Sequence, residues 1–110
     1  MSKQDKVLDR LSETLASRRN ADPETSYTAQ LFAGGPDSIL KKIGEECAEL
    51  IMAGKEGKRL KIGWESTGVI YHVLVLLAFY GLSVEDVLQE LRRREGISGI
   101  DEKKSRKAAK

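Results

Sequence analysis

One hundred and ten residues, 40% of them apolar, suffice for a single modest domain, of a size that buries only about two-thirds of its unfolded surface and gains from a partner subunit. Five per cent aromatics leave aliphatic helix packing as the source of the core, and a lone cysteine, Cys47, excludes an internal disulfide framework and fits a reducing compartment. The net charge of +2 conceals an asymmetry, because from Arg92 to Lys110 eight lysines and arginines face three acids, a net +5 set against an acidic body.

The first predicted element is a helix from about Lys3 to Arg19, with Val7, Leu8, Leu11 and Leu15 at helical spacing and Asn20 as its terminator. The leading MSKQDKVLDR has no apolar core of the kind a signal peptide carries, so a cytoplasmic protein is expected. From Asn20 to Phe32 the chain reads NADPETSYTAQLF, expected to be a loop rich in proline and small polar residues, and Gly34-Gly35-Pro36 breaks it again.

A second helix is expected from about Asp37 to Lys55, capped by Asp37 or Ser38 and closed by Gly57. It is amphipathic. Ile39, Ile43, Cys47, Leu50 and Ile51 gather on one side, while Glu45, Glu46 and Glu49 fall within an arc of roughly 100° on the other. Solvated glutamates are common, but three in one turn repel one another unless a cation joins them.

A third helix starts somewhere between Lys61 and Ser66 and ends at Gly81. Its apolar residues, Val69, Ile70, Val73, Leu74, Val75, Leu76 and Leu77, surround the axis, so both sides should be covered. A chain this short does that with difficulty, which predicts a homo-oligomer with this helix at the subunit interface. The most hydrophobic stretch, Val69 to Tyr80, is about twelve residues and contains His72, short of the roughly twenty needed to span a bilayer; no membrane is expected. Glu65, Gly68 and His72 form one stripe at i, i+3 and i+7, so Glu65 can face the acidic edge of the second helix across an antiparallel pair. Oxygen ligands from facing helices suit magnesium or manganese, hard cations that commonly meet substrate phosphates. His72 reads as a hydrogen-bonded packing residue rather than a ligand.

A fourth helix, Val84 to Arg93, opens with Ser83 as N-cap and Asp86 in capping-box position. The basic end has no apolar periodicity and is expected to be a disordered tail. Without interleaved aromatics it is not expected to bind nucleic acid. Together these elements predict an all-α bundle of four to five helices completed by oligomerisation, with residues 1–94 as the domain and 95–110 as the tail.

SYTAQLF at Ser26–Phe32, ILKKIGEECAEL at Ile39–Leu50 and YHVLVLLAFYGLSVEDVLQEL at Tyr71–Leu91 resemble the phosphoribosyl-ATP pyrophosphohydrolase family over about residues 5 to 94. The resemblance implies an all-α fold assembled as a dimer or tetramer, and hydrolysis of 1-(5-phosphoribosyl)-ATP to 1-(5-phosphoribosyl)-AMP and pyrophosphate, the second step of histidine biosynthesis. Breaking an α–β phosphoanhydride asks for an in-line water and neutralisation of the departing pyrophosphate, both of which metal ions supply. Glu45, Glu46, Glu49 and Glu65 are then the candidates for holding magnesium, with one of them serving instead as base for the water. Lys41 and Lys42 stand one turn before the cluster and either meet phosphates as point charges or are solvated. Ser26, Tyr27 and Thr28 offer hydroxyls to the substrate, with Tyr27 alternatively anchoring the loop to the bundle. Trp64 reads as an interface residue or an adenine-stacking surface.

One departure stands out. Members of the family carry Glu-x-x-Asp just before Tyr-His, and the aspartate position is Gly68 here. The missing carboxylate opens an alternative, a helical protein that binds nucleotide or a partner with little or no turnover.

Overall fold

The computed structural model describes residues 5–109. Among these it contains six α-helices and no strand. Helix α1 (Asp5–Ser17) turns Leu8, Leu11 and Leu15 inward and closes in a short 3-10 turn at Arg18–Asn20; the expected start at Lys3 lies outside the described residues.

The passage expected to be a loop divides in two. Asp22 organises a turn, its carboxylate accepting from the Glu24 N–H at 2.9 Å, and Tyr27–Ala33 then forms a short helix, α2. Ser26 is the reason it starts there, since its hydroxyl accepts the Ala29 N–H at 3.2 Å and satisfies a donor of the first turn. Helix α3 (Gly35–Glu56) begins two residues earlier than expected, because Pro36 sits in its first turn, where a proline costs no hydrogen bond. Gly57, at φ 70°, ends it by donating to the carbonyls of Ala53 and Gly54.

After Lys58 the chain reverses at once into α4 (Arg59–Phe79), which takes in the residues left open in the sequence reading, Gly63 among them. The antiparallel pair α3–α4 is the most extensively packed in the molecule. At 21 residues α4 is also long and apolar enough to cross a membrane by length and composition, beyond the twelve-residue stretch weighed from sequence. Its middle instead supplies the core. Leu74, Val75 and Ala78 pack with Leu15 of α1, Leu31 of α2, Ile39 of α3 and Val84 of α5 (Val84–Arg94). Leu15, Ile39 and Val75 are almost wholly enclosed, each contributing about 1.5–3 kcal/mol through removal from water.

This core covers α4 in part. Leu74 and Val75 are buried within the chain itself and Leu77 is partly covered, because residues of α1, α2, α3 and α5 reach this stretch of the helix. The apolar residues left in water lie toward the other end of the helix, at Leu60, Trp64 and Ile70.

Helix α5 has the expected capping box between Ser83 and Asp86. The basic end, expected to be disordered, is helical as α6 (Gly99–Ala109). Ser98 caps it, accepting the Asp101 N–H at 3.1 Å. Glu102, 5% exposed, draws Arg93 and Arg94 of α5 and its own Arg106 around itself. Counting net charge overlooked that several of those cations converge on one carboxylate. Its Oε1 lies 3.0 Å from Arg106 Nε without a well-aligned hydrogen bond, so charge rather than geometry holds that oxygen.

Candidate active site

Glu46 and Glu49 lie one turn apart on α3, and the register of the α3–α4 hairpin brings Glu65 opposite them. One carboxylate oxygen from each lies within 4.8 Å of the other two. The Glu65 carboxyl is pushed above the usual value, first by partial loss of water, then by its approach to Glu49 and by the charges of Glu49 and Glu46; Lys61 pulls the other way. Desolvation and like charge both disfavour its ionised form. All three offer hard oxygen donors, as magnesium or manganese requires. Glu45 stands outside this trio and is exposed.

Gly68 faces the Glu46 carboxylate. A Cβ there would come within 2.9 Å of Glu46 Oε2, so the Glu46 carboxylate occupies the space beside the position where the resemblance expects an aspartate. The family departure therefore removes a group at the edge of the trio while leaving the trio itself assembled.

The SYT segment reaches this region through two side-chain bonds from α2 to α4. The Tyr27 hydroxyl meets His72 Nε2 at 2.8 Å, and Thr28 Oγ1 meets the Tyr71 hydroxyl at 2.6 Å. His72 is buried, and its Nδ1 bonds the Gly68 carbonyl at 2.8 Å, the hydrogen-bonded packing role read from sequence. Thr28 is buried as well and Ser26 is engaged as the α2 cap, so Tyr27 is the exposed member of the three, 47% open to solvent. Its phenol is pushed above the ordinary tyrosine value, chiefly by partial burial; Lys42 opposes this, while Tyr71, Glu46 and Glu45 reinforce it. Tyr27 thus feels both the acidic edge of α3 and Lys42. Lys41 is exposed and joins none of these contacts.

Sequence reasoning did not pair Tyr71 with Thr28 or Tyr27 with His72. Forty-five residues separate the second pair, and the only signal was that SYT and Tyr-His both belong to the family-like segments. Next to Glu65, an open groove of about 790 Å³ is lined by Lys58, Arg59, Leu60, Lys61 and Trp64.

Residues 8–95 match the family model described as phosphoribosyl-ATP pyrophosphohydrolase. The chain is similar to the phosphoribosyl-ATP pyrophosphatase of Dechloromonas aromatica, 84% identical over 100 residues that cover 91% of this chain and 93% of the relative. It is 58% identical to the protein of that name from Azoarcus sp. over 92% of this chain and 94% of the relative, and 50% identical to that of Geobacter sulfurreducens over 96% and 98%.

Proposed function

The chain belongs to the phosphoribosyl-ATP pyrophosphohydrolase family, and we propose that it carries out the family reaction, hydrolysis of 1-(5-phosphoribosyl)-ATP to 1-(5-phosphoribosyl)-AMP and pyrophosphate in histidine biosynthesis, at the edge formed by Glu46, Glu49 and Glu65. The observation that carries this assignment is the convergence of three carboxylates from two helices within 4.8 Å, with the Glu65 carboxyl pushed above its usual value by loss of water and by its acidic neighbours. These are the residues that would hold magnesium, with manganese as a substitute. When bound, the metal supplies neutralisation of phosphate charge and activation of water.

The chain's own groups divide the remaining work. Glu45, outside the trio yet on the same helical edge, is one candidate, with the trio itself, to take the proton from the attacking water. Lys42, on the Tyr27 side, offers a point charge to the phosphates, while Lys41 is the more solvated of the two. Tyr27 presents its exposed ring to the substrate, and Ser26 and Thr28 hold the segment that carries it. Binding without turnover, the reading Gly68 opened, is less favoured, because the trio does not depend on residue 68 and the relatives bear the name of the enzyme.

The protein is further read as a soluble, cytoplasmic homodimer or homotetramer. Leu60 at 83% and Trp64 at 77% exposure leave an apolar surface that a second copy would cover.

Pyrophosphate release from phosphoribosyl-ATP, ATP, dUTP and dCTP with magnesium tests the substrate. Glu46→Gln and Glu49→Gln test the site, since each keeps the side-chain shape and removes a charge. Both variants should lose activity by at least a hundredfold, on the order of one transition-state charge contact, with helical content unchanged by circular dichroism. Undiminished activity in both would return the cluster to an ordinary solvated surface.

A further inference from the structure

His72 has both ring nitrogens engaged, and the two bonds together determine the polarity of Tyr27. The Gly68 carbonyl can only accept, so Nδ1 carries the proton in that 2.8 Å bond. In the neutral ring Nε2 then holds a lone pair, and the Tyr27 hydroxyl at 2.8 Å donates to it. The ring is clasped in this orientation, edge-on to Tyr27 with centroids 6.0 Å apart and to Tyr71 at 5.3 Å, and the Thr28–Tyr71 bond ties the same two helices one residue further along.

We propose that His72 is a positioning residue for substrate: by taking the phenol's only proton it leaves Tyr27 with lone pairs facing the site, so that Tyr27 receives a hydrogen bond from a sugar hydroxyl of the nucleotide. Phosphate oxygens lack protons at neutral pH and have nothing to offer such an acceptor. Recognition is thereby divided, with phosphate falling to cations and metal and the sugar to Tyr27. Nearly half of Tyr27 is open to solvent, and its hydroxyl has no hydrogen-bond partner other than His72 among the described residues, which leaves its oxygen free to accept. The proposal rests on the acidic edge being the site of reaction.

His72 is the chain's sole histidine, so the imidazole nitrogen-15 spectrum of the untagged protein reports on it alone. The expected result at neutral pH is one protonated nitrogen, Nδ1, and one unprotonated, Nε2, with Tyr27→Phe displacing chiefly the Nε2 signal. In kinetics, Tyr27→Phe should raise KM for phosphoribosyl-ATP about fivefold, the worth of one hydrogen bond, with kcat little changed. Inhibition by inorganic pyrophosphate, which has no sugar, should be unaltered. His72→Leu should produce the same KM rise, the double variant no more than either single one, and His72→Gln, whose amide oxygen can accept the phenol proton, a partial recovery.

The proposal is overturned by an imidazole protonated on both nitrogens, by an unchanged KM in Tyr27→Phe, by additive effects in the double variant, or by pyrophosphate inhibition that weakens in step with KM. Should His72→Leu fail to fold, the spectrum and the Tyr27→Phe kinetics still decide. Failure of the acidic-edge assignment would show separately, in Glu46→Gln and Glu49→Gln.

Discussion

Gly68 and Glu65 carry the sharpest consequences for single residues. The Cβ introduced by Gly68→Asp would meet Glu46 Oε2, the end of a flexible side chain that can swing aside, so the lasting cost is electrostatic rather than steric. A fourth negative group beside three others repels them in the apo protein and attracts a divalent cation in the loaded one. Paired melting curves should therefore show Gly68→Asp with a lower Tm than the parent without magnesium and a larger rise on adding it. An unchanged magnesium-induced rise would mean that residue 68 does not border the metal site. Glu65 predicts a pH dependence of definite sign. Its folded-state pKa is raised, so the folded state binds the proton more tightly than the unfolded one, and stability falls as pH climbs from about the unperturbed value of 4.5 through the raised one. Without metal, Glu65→Gln should thus melt higher than the parent above that window and nearly level with it below. A gap of the same size at both ends would remove the crowding from the explanation.

Helix α6 depends on one carboxylate, an economy that net charge alone hides. Its exposed residues bury little apolar surface, and an isolated helix of eleven residues is marginal in water. What holds it is the Ser98 cap and the convergence of Arg93, Arg94 and Arg106 on Glu102. Glu102→Ala should release the segment, seen as accelerated amide exchange across residues 99–109 with protection in α3 and α4 retained, because those helices rest on the core. Retained protection in α6 would put its stability in the cap instead. The Ser98 cap passed unread, because the absence of apolar periodicity and the net charge had marked the segment as a tail. The Arg93–Glu102 approach was not legible either, since it follows from how α5 and α6 fold against one another. Helix α2 teaches the same lesson. Ser26 was read as a loop hydroxyl rather than a cap, because a seven-residue helix has too few turns to show a periodicity.

Taken whole, the molecule is looser than its length requires, with a radius of gyration of 16.1 Å against about 13 Å for a compact 100-residue domain. Its apolar residues divide accordingly into an enclosed core around Leu15, Ile39 and Val75 and an uncovered surface at Leu60 and Trp64. Leu74→Asp should unfold the chain whatever its assembly, as it places a charge in the chain's own core. Leu60→Lys combined with Trp64→Lys should instead lower the mass in sedimentation while leaving the helical content intact. Native mass in that variant would place the contact between copies elsewhere. The all-helical class and the acidic edge of α3 were determined by sequence alone, because each depends on residues within a few turns of one another, and so was the family relationship, a linear pattern of three segments between Ser26 and Leu91. Only the tertiary structure decided that Glu65 joins Glu46 and Glu49 while Glu45 does not, that Tyr27 meets His72, and that Leu74 is enclosed by its own chain. Those outcomes turn on the register of α3 against α4 across Gly57 and on the docking of α2, where a shift of one residue turns a side chain by about 100°, and no local spacing encodes that choice.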